Sequence, residues 1–261
     1  MATTPTPILT RIPAPILIVT AILMATTMAE SAATQDALAL VRIMAWLSPA
    51  FPTGAFAYSG GLEAAAQSGL VANEEQLFLW LETQLEQGGL QLDAKLLSLA
   101  HQSKGGERLA SVQALASALA ASAPRWQESV GQGRAFLAGI AERAEFSEHD
   151  VQNALGLGEA DEPCSLSVAV GAVAAYADIP RNMAILGFLQ GAVGQQLSAA
   201  IRLNLMGQTG AARLLDRLEN AIVTCMEQAL DTAENDLHSA APMADLLAAQ
   251  HDTLNSRLFL S

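Results

Sequence analysis

The side chains that could bind a transition metal are few and widely spaced in this 261-residue chain. Nickel and zinc prefer imidazole and thiolate ligands, and a binding site needs several of them close together. Only Glu234 and His238 have suitable local spacing, because positions i and i+4 share one face of a helix. We interpret this pair as a solvated helix end and assign no metal ligand to the chain. The histidines are His101, His149, His238 and His251, and the cysteines, predicted to be core thiols, are Cys164 and Cys225.

Nucleotide and hydrolytic chemistry also lack their usual sequence signals. No G-x-x-x-x-G-K-[ST] phosphate loop is present, and neither of the two lysines follows such a glycine run. The motifs G-x-S-x-G, C-x-x-C and H-E-x-x-H are missing as well. A hydrolase would need a buried histidine beside an acid, such as His251 with Asp252 or His101 with Asp93, in a shared pocket. We therefore predict no catalytic residue and no firmly bound cofactor, and we keep an all-α hydrolase as the weaker alternative.

The most unusual stretch runs from Trp46 to Glu63 and reads WLSPAFPTGAFAYSGGLE. Proline lacks a backbone N–H and has a fixed φ, so Pro49 and Pro52 end any helix that enters from upstream. This much apolar surface is not typical of a flexible linker. We predict a rigid, irregular segment packed against helices, with a new helix starting near Ser59. Its conformationally permissive glycines are Gly54, Gly60 and Gly61, and its aromatic residues are Phe51, Phe56 and Tyr58.

Helices are predicted to position this stretch. About half of the residues are apolar, Ala and Leu are abundant, and aromatic residues are scarce, which favours helices over strands. Apolar residues recur at helical spacing, and no strand-like alternation or hairpin turn is found. We predict an all-α, single-domain bundle of roughly nine to eleven helices over residues 31–261. The expected helix caps are Asn73 with Gln76, Ser147 with Asp150, and Thr209.

Residues 1–30 are interpreted as an N-terminal extension of the domain. The run from Ile12 to Ala29 carries no charge and follows Arg11, a pattern typical of a signal peptide or a short membrane anchor. A disordered or partner-docking tail is a second interpretation. The interpretation that we favour is a misassigned start, with translation beginning at Met24 or Met28.

The formal net charge of −13 limits the kinds of partner. Nucleic acids and anionic membrane surfaces attract clustered Lys and Arg, so neither is an expected partner. An acidic surface suits solubility or docking to a basic protein.

Four segments resemble the UreF family of urease accessory proteins. The first, SPAFPTGAFAYSGGLE at residues 48–63, is close to the family pattern S-P-A-L-P-x-G-G-F-S-Y-S-x-G-L-E. Gly133-Arg134 resembles the family's M-G-R element, and residues 202–210 resemble R-L-x-P-L-G-Q-x-x-G. The C-terminal residues 251–261 resemble the tail H-E-x-x-Y-S-R-L-F-x-S. Departures from these patterns include Ala55, Ala57, Gly60, Gln132, Asn204, Leu205, Asp252 and Asn255, and Cys164-Ser165 stands where the family often has a histidine.

The resemblance implies a non-enzymatic, cytoplasmic, homodimeric chaperone. Its implied partners are the accessory protein UreD (also called UreH), the GTPase UreG and the urease apoprotein. GTP would be bound by UreG, whose activity the chain would modulate, and nickel would be handled by the complex rather than held by this chain. A helical adaptor of another assembly remains the alternative. The residues that the resemblance implies for partner binding or structure are Ser48, Pro49, Pro52, Gly54, Phe56, Tyr58, Ser59, Glu63, Gly133, Arg134, Gly207, Gln208, Arg257 and Phe259.

Several of these residues have a plainer interpretation beside the functional one. Arg134 is either a surface cation or the partner of an acid, and the nearby glycines are expected to let another backbone come close. Gly207-Gln208 is more typical of a turn that joins two helices than of a contact site. The tail around Arg257 and Phe259 either becomes ordered on a partner, which we favour because both are good anchor residues, or packs against its own domain.

Overall fold

The computed structural model describes residues 33–143, 146–155 and 163–260. The predicted extension at residues 1–30 lies outside these ranges. Contacts divide the chain into two units, Met1–Leu38, described only from residue 33, and Ala39–Ser261, which contains the core.

The described residues contain α-helices and short 3₁₀ turns but no strand, which confirms the all-α prediction. The helices are α1 (33–46), α2 (Leu62–Gln67), α3 (Glu74–Gln87), α4 (Gly89–Ser103), α5 (Gly106–Ala118), α6 (Ala123–Ala141), α7 (Glu148–Leu155), α8 (Leu166–Tyr176), α9 (Arg181–Arg202), α10 (Gln208–Leu230) and α11 (Pro242–Gln250). The 3₁₀ turns are Ala55–Ala57, Glu234–Asp236 and His251–Thr253. The number of helices agrees with the predicted range.

Helices α4 and α8 form the centre of the core of residues 39–260. Helix α8 is rich in Ala, Val and Gly, and its residues Ser167–Ala174 are all buried. A Cβ at Gly171 would lie 2.4 Å from the carbonyl oxygen of Leu97, so the absence of a side chain brings the two helices unusually close. Helices α6, α9 and α5 pack around this pair.

The predicted helix caps are partly correct. The Asn73 side chain accepts hydrogen bonds from the amides of Glu75 and Gln76, at 3.1 and 3.0 Å, and caps α3. Ser147 and Asp150 bond reciprocally before α7, as the S-x-x-D pattern indicates.

The Thr209 cap is wrong, because α10 already begins at Gln208 after the extended residue Gly207. Helix α9 ends at Arg202, and the chain reverses through Asn204, whose φ of 58° is left-handed. The connection between the two helices therefore covers residues 203–207, so Gly207 belongs to it as predicted, whereas Gln208 is already the first residue of α10.

Helix α9 is long and apolar enough to cross a membrane, with a mean hydropathy of 1.2 over its most apolar window. Half of that window is buried inside the protein. This burial is typical of a core helix, and the helix is weak support for a membrane span.

Candidate functional site

The stretch from residue 46 to residue 63 is a packed corner, as predicted. Helix α1 ends at Trp46, whose ring is fully buried and makes edge contacts with Phe136 and Phe146, at centroid distances of 6.3 and 5.7 Å. Phe51 packs on Phe136 at 5.6 Å. The chain then turns through three glycines with positive φ, namely Gly54, Gly60 and Gly61. Pro49 and Pro52 are exposed, whereas Ser59 is buried.

Glu63, the last residue of this signature, binds the C-terminal tail. Its side chain is 2% exposed, and its carboxylate accepts hydrogen bonds from the amides of Leu258 (2.7 Å) and Phe259 (3.2 Å). The Nε2 atom of the fully buried His251 lies 3.0 Å from the same carboxylate. The Glu63 amide donates to Ser59 Oγ at 3.3 Å, which ties α2 to the signature. The beginning and the end of the domain are thus joined through one buried acid.

Arg202 provides a second connection between the signature and the tail. Its guanidinium lies 3.7 Å from the ring centroid of Phe56 and 4.1 Å from that of Phe259, so it contacts both rings. It also donates a hydrogen bond to the carbonyl oxygen of Phe56. The amide of Leu260 donates to the carbonyl oxygen of Ala57 at 2.8 Å. The tail therefore packs on its own domain, and our preference for a tail ordered only by a partner is wrong for the isolated chain.

This docked tail leaves an apolar surface exposed. Phe56 is 69% exposed, Leu258 53% and Leu260 65%. All three belong to the signature or to the tail that is bonded to it. We call Phe56, Leu258 and Leu260 the composite surface. Large exposed apolar side chains on two segments that are bonded to each other make a candidate interaction site.

A cleft of about 720 Å³ lies beside the signature, between its proline-rich part and helices α6 and α9. Its polar end contains Arg125, whose guanidinium donates to Glu128 at 2.7 Å and lies 3.8 Å from Asp93. Ser167 Oγ donates to Asp93 at 3.1 Å. Burial is the largest influence on Asp93 and raises its pKa, although Arg125 and Ser167 act in the opposite direction. We call Asp93, Arg125 and Glu128 the charge cluster; Glu128 is buried, whereas the side chains of Arg125 and Asp93 are 25% and 23% exposed.

Tyr58 and Gly60 connect the signature to this cleft. Partial burial and, second, the Glu128 carboxylate raise the pKa of Tyr58. A Cβ at Gly60 would lie 2.8 Å from Gln196 Nε2, and the Gln196 Oε1 atom accepts a hydrogen bond from Trp80 Nε1 at 3.0 Å. The signature turn thus lies directly on the polar end of the cleft.

The other predicted residues lie outside this arrangement. Gly133 permits the backbone approach that we expected, since a Cβ there would meet the carbonyl oxygen of Cys164 at 2.1 Å. Arg134 is exposed and makes no ion pair with another described residue, so it is a surface cation. Gly207 and Gln208 are exposed at the α9–α10 turn. Arg257 is exposed, whereas its neighbour Phe259 is buried.

The candidate metal and catalytic residues do not converge. No group of three or more His, Cys, Asp or Glu side chains with metal-binding geometry occurs in the described part of the chain. Glu234 lies in a 3₁₀ turn that ends before His238, so the predicted shared helix face is wrong. His101 bonds to the carbonyl oxygen of Ile179 rather than to Asp93. The side chain of Asp252 lies outside the part of the chain that the structure describes.

Both cysteines are buried and unpaired, as predicted. Burial raises the pKa of each thiol, Cys164 and Cys225, to about 12. Both thiols are therefore protonated near neutral pH.

Sequence reasoning did not single out Arg202, Arg125 or Glu128, and it considered His251 and Asp93 only as parts of a hydrolase site with other partners. Arg202 and His251 both stand inside family-like segments, and that position was the available signal. Nothing in the local sequence marks Asp93, Arg125 and Glu128, because they come from two helices that meet only in the fold.

Comparisons with known proteins agree with the resemblance to the UreF family. A sequence model of the family described as UreF matches residues 71–219. The chain is 40% identical over 234 residues to the urease accessory protein UreF of Allorhizobium ampelinum, covering 87% of this chain and 98% of the relative. It is 40% identical over 235 residues to that of Sinorhizobium medicae, covering 90% and 100%, and 39% identical to that of Rhodopseudomonas palustris, covering 87% and 94%.

Proposed function

The chain belongs to the UreF family of urease accessory proteins, and on that premise we propose that it is a non-enzymatic chaperone of urease maturation. In this proposal it forms a homodimer and joins a UreD-type (UreH-type) accessory protein and a UreG-type GTPase on the urease apoprotein. Nickel is the cargo of that complex. The chain itself holds no cofactor, and it modulates GTP hydrolysis carried out by UreG.

One observation supports a binding role most strongly: the signature and the tail, two of the segments that resemble the family, are bonded to each other. Glu63 and Arg202 join the two segments. The joined segments present the composite surface to solvent. Exposed aromatic and aliphatic side chains on a rigid, hydrogen-bonded support are suited to protein recognition. We assign this surface to the UreD-type partner.

The division of chemistry between the subunits is supported by the sequence. No phosphate loop is present in the chain, so GTP hydrolysis of the P-loop type requires another subunit. The thiols are buried, and the histidines in the described part do not form a ligand cluster. An adaptor role therefore fits the available side chains better than catalysis does.

The maturation role is tested by deletion of the gene in its host. We expect urease protein that is present but inactive and poor in nickel, with activity and nickel content restored when the gene is supplied in trans. Active, nickel-loaded urease in the deletion strain would contradict the proposal. It would instead favour an adaptor of another assembly.

The assignment of the composite surface is tested by co-purification with UreD. Deletion of Arg257 to Ser261, or Leu258→Ser combined with Leu260→Ser, should abolish co-purification while the helical circular dichroism is unchanged. The control is Leu79→Ser on α3, where an equally exposed leucine (53%) lies outside the composite surface. Unchanged co-purification of the tail variants would contradict the assignment of the composite surface to the UreD-type partner.

A further inference from the structure

The two oxygens of Glu63 are occupied by the C-terminal tail. Oε1 accepts the amide of Leu258, and Oε2 accepts the amide of Phe259 and lies within hydrogen-bond distance of His251 Nε2. Hydrogen bonds to a charged carboxylate are stronger than those between neutral groups, and burial strengthens them further. This carboxylate is therefore the strongest polar attachment of residues 258 and 259.

The other polar attachments of the tail are more exposed. Gln67 donates to the carbonyl oxygen of Ser256 at 2.9 Å in an exposed position, and Leu260 makes a single backbone bond to Ala57. The Phe259 side chain is buried and its ring lies 4.1 Å from the Arg202 guanidinium, so apolar packing also holds the tail. The Glu63 carboxylate is the polar group that binds the amides of residues 258 and 259.

We propose that Glu63 is the positioning residue of the C-terminal tail. Its carboxylate, steadied by His251, holds residues 258–260 on the signature, and this placement assembles the composite surface. The use of that surface by a UreD-type partner rests on the proposed function, whereas the positioning of the tail does not.

A purely structural role of Glu63 makes a different prediction. If the acid only filled a buried site at the start of α2, its loss would loosen the whole of residues 39–260 together. If it positions the tail, the loss is confined to the tail, because the Glu63 side chain bonds to His251 and to the two tail amides. Amide hydrogen exchange separates these cases, since it reports local opening segment by segment.

The experiment compares the full chain with its Glu63→Gln variant by hydrogen exchange and mass spectrometry. The substitution keeps the shape of the side chain and removes its charge. We expect exchange of the amides of residues 258–260 to accelerate at least tenfold, while exchange in α4 and α8 stays within twofold. The control is Glu128→Gln, a change at another buried acid, whose carboxylate accepts hydrogen bonds from Arg125 and Gln132. An unaltered tail, or equal acceleration throughout the chain, would overturn the proposal.

A second variant tests the same bond from the tail side. Leu258→Pro removes the amide that donates to Glu63 Oε1 and leaves the buried acid and α2 intact. It should accelerate exchange of residues 259 and 260 to a similar degree, and it keeps the proposal testable if Glu63→Gln does not fold. A protected tail in Leu258→Pro would contradict the proposal.

Binding to purified UreD then distinguishes the positioning of the tail by Glu63 from the use of the composite surface by a partner. With purified UreD, we expect Glu63→Gln to bind at least tenfold more weakly than the wild-type chain. Faster tail exchange with unchanged UreD binding would overturn the link between tail position and the composite surface. If the wild-type chain does not bind UreD at all, the proposed function fails, while the exchange result still decides the role of Glu63.

Discussion

A side chain added at Gly133 should force apart two segments of backbone. A Cβ at this position would lie 2.1 Å from the carbonyl oxygen of Cys164 and 2.9 Å from the carbonyl carbon of Ser165. Carbon–oxygen contacts are ordinarily about 3.3 Å or longer, so α6 must move by roughly 1 Å from the residues that precede α8. No side-chain rotation can relieve this, because the atoms that clash belong to the backbone.

The expected cost of Gly133→Ala follows from two opposing terms. Overpacking a closely packed contact costs about 1–3 kcal/mol, and this clash belongs at the upper end. Replacing glycine by alanine inside a helix raises the free energy of unfolding by about 1 kcal/mol through helix propensity. We therefore expect the free energy of unfolding to fall by about 2 kcal/mol and Tm to fall by roughly 4–8 °C.

Gly131→Ala is the matched control, two residues earlier on the same helix. Its Cβ would lie 3.2 Å from the Tyr58 hydroxyl, the end of a side chain that can move. Only the gain in helix propensity then remains, and stability should be unchanged or rise by up to about 1 kcal/mol. Urea unfolding followed by circular dichroism gives both values. Equal stabilities for the two variants would refute the close-approach argument.

Three further predictions concern the tail, the thiols and a helix end. Arg202→Met should expose the tail to carboxypeptidase several-fold faster, because the guanidinium stacks on two rings at about 1 kcal/mol each; an unchanged digestion rate would contradict this. Cys164 and Cys225 should resist iodoacetamide in the native protein at pH 8, since a thiol with a pKa of about 12 is only about 0.01% thiolate there, and both should react in urea. Lys104→Gly should raise Tm by roughly 2–4 °C, because Lys104 ends α4 with a φ of 55° that glycine adopts without strain; a lower Tm would show that another contact of the lysine matters more.

The features that could be predicted from the sequence are those set by local covalent constraints. Pro49 and Pro52 cannot continue a helix, so the corner after α1 follows from the residues alone. Asn73 caps α3 through amides two and three residues away, and the small residues of α8 indicate close packing wherever the helix lies. Each of these effects acts within about one turn of the chain.

The features that could not be predicted depend on partners distant in sequence. Glu63 meets His251 across 188 residues, and Arg202 meets Phe56 across 146. The segment after α10 was expected to be helical, but the Lys95 amine donates to the carbonyl oxygen of Asp236, and the chain forms a 3₁₀ turn there. Tertiary contacts of this kind override local preference, and no spacing rule indicates them.

The charge cluster carries two acids and one base in close contact. Removing Arg125 would take away the guanidinium that lies between the carboxylates of Asp93 and Glu128. Breaking a buried pair in this way costs about 3 kcal/mol when part of the cluster remains accessible to water. We expect Arg125→Met to lower the free energy of unfolding by about that amount at pH 7, and by less at pH 5, where protonation relieves the repulsion.

The sign of the pH dependence can be tested at Asp93 itself. Its folded-state pKa is raised above the ordinary value of 3.8, with burial as the largest cause, so the folded chain binds more protons than the unfolded chain between the two values. The stability contributed by this carboxyl therefore falls as pH rises from 3.8 through the folded-state pKa. Asp93→Asn removes the titration and leaves an oxygen that can accept the Ser167 hydroxyl. Urea unfolding between pH 4 and pH 7 should show the wild-type chain losing stability relative to Asp93→Asn as pH rises, and a relative change of the opposite sign would mean that pairing with Arg125 outweighs the cost of burial.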